Sequence, residues 1–268
     1  MRYKQNLHTH TTYCDGKNSV EEVILAACEK GFESIGFSSH SFFDERPMEP
    51  SQMETYKQQV RVCSEKYADR IEIFCGLECE MRDAAPKTGF DYLIGSVHYL
   101  PLGEDLLSLD INAQCVRAAI DTHFGGDGLA YAKAYYQELS LLPQFGKYDI
   151  IAHFDLITKF SEQEKLFDEN AKEYQWAAIE AAEMLAGQIP YFEVNTGACA
   201  RGYRTSPYPD LFLLKELKRL GFGAVISSDC HNCQFLDHMF LEAEELLRLC
   251  GFKERYILTK DGFIPVAL

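Results

Sequence analysis

Two hydrophobic periods take turns along the chain. Short apolar runs with β-branched and aromatic residues lie near 3–7 and at 33–38, 71–77, 91–97, 148–152, 190–194 and 223–227. Each predicts a buried strand. Between the later runs, apolar residues recur at helical spacing over about 112–124, 128–142, 169–187, 209–220 and 236–249. Two earlier helices carry start signals. Ser19 and Glu22 form a capping box, Val20, Val23, Ile24 and Ala27 then share one face, and Gly31 closes the helix. Ser51 and Glu54 repeat the signal ahead of Met53, Tyr56, Val60 and Cys63. Strands alternating with helices predict a parallel sheet. Seven or eight such units in 268 residues predict a closed α/β barrel. No repeat, low-complexity tract or linker interrupts the pattern, so residues 1–268 are expected to form one domain.

The polar residues at the ends of those runs change the picture from fold to chemistry. Six of eight histidines fall there: His8 and His10 after the first run, His40 after the second, His98 after the fourth, His153 after the fifth and His231 after the seventh. Glu78 ends the third run, Asn195 the sixth, and Asp229 joins His231 at the seventh. In a parallel barrel these ends meet on one face. His8–His10 and Asp229–His231 are i, i+2 pairs, which point the same way in an extended segment. Asp15 lies five residues past His10 and can fold back over that face. A lone histidine on an apolar strand is ordinarily a hydrogen-bonded core residue. Six of them with two acids, all at strand ends, would be costly to bury for structure alone. The nine residues His8, His10, Asp15, His40, Glu78, His98, His153, Asp229 and His231 are therefore expected to hold two or three divalent ions, with a carboxylate bridging two. His123 and His238 lie away from strand ends and read as surface residues.

Composition narrows the partners. Lys plus Arg is 26 and Asp plus Glu is 41, a net charge of −15. That disfavours nucleic acid polymers and anionic membranes. No apolar run approaches the roughly 18 residues of a membrane span, and the first residues lack the apolar stretch of a signal peptide. The ten cysteines are irregularly spaced and read as free thiols, mostly buried, in a reducing cytoplasm. Cys230 and Cys233 form a C-x-x-C with no second pair at zinc-ribbon spacing.

Taken in order, HTHTTYCDG, the Ser39–His40 step, Glu78, SVHYL, AHFD and SSDCH resemble the motifs of the polymerase-and-histidinol-phosphatase (PHP) superfamily, from residue 8 to residue 231. The resemblance implies a distorted seven-stranded (β/α)7 TIM-like barrel with a trinuclear metal site. Carried over by position, His8, His10, Glu78 and Asp229 would hold one ion. Glu78 would bridge to a second held by His98 and His153, and Asp15, His40 and His231 would hold the third. Within the superfamily the chain is most similar to the monofunctional histidinol-phosphate phosphatases. The length points that way, as do the H-x-D-L-I context of His153, the EVNT segment of Glu193 to Thr196 and the Tyr208–Pro209 step. Two positions depart from the pattern. Ser39 stands where many members have Asp. Lys159 stands where Arg often follows HFDLI, and Lys cannot make the bidentate phosphate contact of Arg.

The resemblance implies hydrolysis of L-histidinol phosphate in histidine biosynthesis, while the residues alone reach metal-dependent phosphoester hydrolysis. Imidazole and carboxylate ligands suit Zn, Mn or Fe. Bound dications would neutralise a phosphoryl dianion and acidify a water, so the expected nucleophile is a hydroxide bridging two ions among Glu78, Asp229 and His98. Arg201, Lys159, Arg204 and Asn195 are candidate phosphate contacts, Arg201 foremost, and Asp155 is a candidate acid for the leaving group. The expected partner is a small phosphorylated metabolite. Competing functions are a PHP phosphoesterase acting on nucleotides (a 3′,5′-bisphosphate phosphatase or a short-oligonucleotide exonuclease), a metal-stabilised scaffold without catalysis, and an amidohydrolase.

Overall fold

The computed structural model describes residues 3–43, 47–85, 87–103 and 105–268. Seven parallel strands form one sheet: β1 (Gln5–Asn6), β2 (Ser34–Phe37), β3 (Glu72–Glu80), β4 (Tyr92–Ser96), β7 (Ile150–Ile151), β8 (Tyr191–Asn195) and β9 (Gly223–Ser227), adjacent in that order. Two antiparallel hairpins stand apart, β5 (Tyr99–Leu102) with β6 (Asp105–Ser108) and β10 (Glu254–Thr259) with β11 (Gly262–Ala267). The helices are α1 (Val20–Glu29), α2 (Met53–Lys66), α3 (Ala113–Phe124), α4 (Gly128–Leu139), α5 (Leu142–Phe145), α6 (Lys172–Leu185), α7 (Gly197–Ala200), α8 (Leu211–Arg219) and α9 (Phe240–Leu249). The architecture is the expected seven-stranded TIM-like barrel.

The strand edges meet between β1 and β9. The backbone N–H of His10 donates to the Cys230 carbonyl at 2.9 Å, and the N–H of Cys230 donates to the His8 carbonyl at 3.0 Å. One isolated parallel bridge, Thr9 to Cys230, marks the closure. At the opposite end the β10–β11 hairpin packs Leu258 against a separate core cluster of Leu7, Phe74, Tyr92, Ile94, Ile150, Ala152 and Val225. Tyr92 fills the barrel axis, and its hydroxyl donates to the Leu7 carbonyl and to the Phe37 carbonyl. That ring needs Gly76, where an added Cβ would sit 2.3 Å from Tyr92 Cζ.

The local signals hold unevenly. The Ser19 capping box forms, and Val20, Val23, Ile24 and Ala27 are buried. The Ser51 signal does not cap a helix. Pro50 opens a 3₁₀ turn over Pro50–Gln52, and α2 starts at Met53 without a side-chain cap, although Met53, Tyr56, Val60 and Cys63 are buried as expected. Pro pre-sets the backbone for a first turn, which moves the start one residue upstream of Ser51. The third apolar run continues through Glu80, so Glu78 lies within β3 rather than at its end. The ten cysteines are free thiols, but only five are buried. Among the described residues no helix is long and apolar enough to cross a membrane.

Candidate metal centre

The loop after β1 carries the first candidate ligands. A tight turn returns the chain over the strand end: Cys14 N–H and Gly16 N–H both donate to the Thr11 carbonyl, at 3.0 and 3.1 Å, and Lys17 N–H donates to the His231 carbonyl at 2.8 Å. Gly16 is required, because a Cβ there would lie 2.4 Å from the Thr11 nitrogen. This turn brings Asp15 back over His10, with Asp15 Oδ1 3.7 Å from His10 Nδ1. At the far side of the closure Asp229 adopts φ 44°, a left-handed conformation that Asp tolerates better than most residues. It turns the carboxylate back toward β1.

All nine candidate ligands come together. Nε2 of His8 lies 3.1 Å from Glu78 Oε2 and 3.5 Å from Asp229 Oδ1. Nε2 of His10 lies 3.4 and 3.1 Å from the same two oxygens. Glu78 Oε1 faces His153 Nε2 at 3.3 Å and His98 Nε2 at 3.5 Å, and those two nitrogens are 3.1 Å apart. His231 Nε2 lies 3.0 Å from Asp15 Oδ2, and His40 Nε2 3.6 Å from Asp15 Oδ1. Three overlapping groups have ligand atoms within 4.8 Å of one another: His10, Asp15, His40 and His231; His8, His10 and Asp229; His40, Glu78 and His98. His40 joins two of them, since its Nδ1 is 3.0 Å from Glu78 Oε2.

Two tests favour cations here over a hydrogen-bonded core. His8 Nε2, His10 Nε2 and Glu78 Oε2 are buried and converge, yet none makes a hydrogen bond. A buried polar atom left unpaired is costly, so this trio is explained by a cation between them. Charge is the second test. Burial, then the charges of His231 and His40, pull His10 down from 6.5 to about 3, which keeps it neutral and able to ligate. Burial alone would raise Glu78, but His8, His40 and His98 hold it well below the carboxylate range. Burial likewise opposes ionisation of Asp229, which Arg201 and His8 hold well below its ordinary value. Burial opposes a charge on His8 too, yet Glu193, Glu78 and Asp229 raise it. Protons and metal ions compete for such a site.

Three carboxylates absent from the sequence-based ligand set complete the surroundings. Glu193 is fully buried. Its Oε2 accepts from His8 Nδ1 at 2.9 Å and Ser227 Oγ at 2.6 Å, and its Oε1 accepts from the His153 N–H and Asn195 Nδ2, both at 2.7 Å. An ionised carboxylate only accepts, so His8, when neutral, carries its proton on Nδ1 and turns the Nε2 lone pair inward. Glu80 Oε2 accepts the His98 N–H at 2.7 Å. Asp110, beyond β6, binds Lys159, whose Nζ donates to its carbonyl at 2.9 Å and to its Oδ2 at 3.0 Å. The E-x-E spacing of Glu78 and Glu80 and the alternation of Glu193 with Asn195 were the available signals. Asp110 had none.

Above the ligands opens a cavity of about 590 Å³. Asp15, His40, Glu78, His98, His153, Asp229 and His231 contribute to its lining, with Asp110, Lys159, Arg201, Leu156 and Tyr203. His8 and His10 are buried at its base. Arg201 follows α7, and its Nη2 donates to Asp229 Oδ2 at 2.9 Å. Arg204, Asn195 and Asp155 do not reach the lining. Arg204 donates through Nη1 to the Thr158 carbonyl at 3.0 Å. Asn195 Oδ1 accepts from the Gly197 N–H at 2.8 Å. Asp155 Oδ2 accepts from the Asp210 N–H at 2.9 Å, and burial pushes the carboxyl up to about 6 although Arg204 opposes this. These three serve the loops beneath the cavity, a placement set by tertiary contacts that strand-end position does not reveal. His123 is exposed and His238 half-buried, outside the ligand groups.

The PHP domain pattern matches residues 6–197, about 70% of the chain and including His8 to His153. The chain belongs to the PHP family. Among curated relatives of this PHP chain, a Schizosaccharomyces pombe protein named "Probable histidinol-phosphatase" is 25% identical over 95% of the chain and 90% of its own length. Histidinol-phosphatase of Bacillus subtilis is 27% identical over 85% of the chain and 94% of its own length. A histidinol phosphate phosphatase of Lactococcus lactis, crystallised with zinc, L-histidinol and phosphate, shares the fold with a TM-score of 0.74, covering 97% of this chain and 98% of its own at 19% identity.

Proposed function

We propose that this PHP chain is a metal-dependent phosphomonoester hydrolase whose substrate is L-histidinol phosphate. The observation that carries the reading is the convergence of His8 Nε2, His10 Nε2 and Glu78 Oε2, buried and without hydrogen bonds, at the closed mouth of the barrel. The names of the curated relatives, which match over most of the chain, supply the substrate. His8, His10, Glu78 and Asp229 would hold one ion, Glu78, His98 and His153 a second, and Asp15, His40 and His231 a third. Divalent cations held there would neutralise a phosphoryl dianion and lower the pKa of water toward about 7.

The protein's own side chains do the rest. Glu193 keeps the His8 proton on Nδ1. Arg201 holds the Asp229 carboxylate through Oδ2, and a guanidinium at the cavity wall favours an incoming dianion. Leu156 and Tyr203 offer an apolar surface to the organic part of the substrate. Asp155 lies outside the cavity lining, where it accepts from the Asp210 N–H, and is not assigned the leaving-group proton.

The test compares kcat/KM for L-histidinol phosphate with a nucleotide 3′,5′-bisphosphate, a short oligonucleotide and sugar phosphates, on protein whose bound metal has been counted. We expect two or three ions per chain and a clear preference for L-histidinol phosphate. A better nucleotide substrate, or one ion per chain with full activity, overturns the reading.

A further inference from the structure

Among the described residues four carboxylates line the cavity: Asp15, Glu78, Asp110 and Asp229. Three face histidines at ligand distance. Asp110 faces a lysine instead. Lys159 Nζ binds its main-chain carbonyl and its Oδ2, and is bracketed by the rings of Tyr203 and Phe160 at 5.1 and 5.4 Å. Lys159 is nearly buried, with 10% of its side chain exposed, whereas Asp110 keeps 30%. The lysine is thus committed to its neighbours, and it fixes the orientation of the carboxylate. Lys159 holds Asp110 through Oδ2, and the carboxylate lies on the cavity wall with 30% of its side chain exposed.

A fixed, partly desolvated carboxylate beside a cation-lined site suits a ligand with charges of both signs. L-histidinol phosphate is one: its ammonium sits on the carbon next to the ester CH₂. Three dications would repel that ammonium, so a negative group near them is needed to accept the whole substrate. We propose that Asp110 is the specificity residue for this primary ammonium, receiving it at Oδ1, while Lys159 acts as a positioning residue that holds Asp110 rather than as a phosphate clamp. The inference rests on the phosphatase reading above and adds the group that selects an amino-alcohol phosphate over a plain one.

The test uses the metal-loaded protein and two esters, L-histidinol phosphate and its des-amino analogue, 3-(imidazol-4-yl)propyl phosphate. Asp110→Asn keeps the size and an acceptor for Lys159 but removes the charge. A hydrogen bond to a charged group corresponds to roughly a 10- to 100-fold effect. We expect Asp110→Asn to lower kcat/KM for L-histidinol phosphate by about that factor, mainly through KM, and to leave the des-amino ester within about twofold. Activity on the des-amino ester also reports that the variant is folded. Equal loss on both esters, or no loss on either, overturns the role of Asp110 and leaves the phosphatase reading standing. A wild-type protein that hydrolyses neither ester overturns both.

Discussion

Glu193→Gln isolates one proton. In the native site both carboxylate oxygens accept, two donors at each. A glutamine has one accepting oxygen and one donating NH₂. Its oxygen must take the Oε1 place, because the donors there, the His153 N–H and Asn195 Nδ2, are held by backbone and by an amide whose oxygen already accepts from Gly197. The NH₂ then falls on the Oε2 side. Ser227 can rotate its hydroxyl to accept. His8 can accept at Nδ1 only by moving its proton to Nε2, the atom that faces Glu78 at 3.1 Å. The ring keeps its place but loses the lone pair that would bind a cation. Carboxylates that orient ligating histidines are worth about 10- to 100-fold in metal affinity or activity. We expect Glu193→Gln to stay folded and to lose metal and kcat/KM together by that factor, with the His8 proton found on Nε2 by ¹⁵N NMR. Full metal content and wild-type kcat/KM would refute the tautomer argument.

Three further outcomes follow from the packing and the charges. Gly76→Ala places a methyl 2.3 Å from the Tyr92 ring, whose hydroxyl is held from two sides; we expect about 1–3 kcal/mol of destabilisation and a melting temperature lower by several degrees, and an unchanged melt would show that the ring can move. Chelation by EDTA removes a ligand of the folded state alone, so the melting temperature should fall and return with zinc or manganese; superimposable melts would exclude a folded-state metal site. Asp155 titrates at about 6 in the fold against 3.8 when unfolded, so the native state holds the extra proton between those values and loses about 3 kcal/mol as pH rises through them. Asp155→Asn should therefore gain on the wild type between pH 4 and pH 7 in denaturant titrations, and a pH-independent difference would refute the raised pKa.

The barrel was legible because a parallel strand buried on both faces must be apolar along its whole length. Such runs stand out: β1, β2, β4, β7 and β9 fall within them, and β8 runs one residue past its own. The ligand set was legible for a related reason. A charged or imidazole side chain at the end of an apolar run has to be accounted for, and eight of them, with Asp15 from the loop after the first run, share one account. The β10–β11 hairpin was missed despite its cue, alternation on both sides of Lys260–Asp261–Gly262. Glu193 and Glu80 were half-legible. Their i, i+2 spacing placed them on the right face, but the bond between Glu193 and His8 spans 185 residues, and no local pattern encodes such a pairing. Arg204, Asn195 and Asp155 lie in the right segments but under the cavity lining, because side-chain direction in a loop follows from the loop's own hydrogen bonds.

The weakest seam of the barrel and the candidate metal centre are in one place, and the two facts have one explanation. β1 pairs with β2 through two residues only, and its other edge meets β9 at a single bridge, Thr9 to Cys230. Two backbone hydrogen bonds close that seam, contributing about 0.5–1.5 kcal/mol each. The residues that flank the bridge are His8 and His10 on one side and Asp229 and His231 on the other. Each pair alternates around a buried residue and points its side chains to the mouth. A longer ladder would fix the two edges more firmly, but the turns that send Asp15 and Asp229 back over the mouth begin where pairing stops. A cation shared by His8, His10 and Asp229 would join β1 to β9 directly, in place of the hydrogen bonds the ladder lacks. The distortion of the barrel is thus the geometry that delivers candidate ligands from both ends of the chain to one point, and a cation held there would in turn tie the seam that the distortion leaves short.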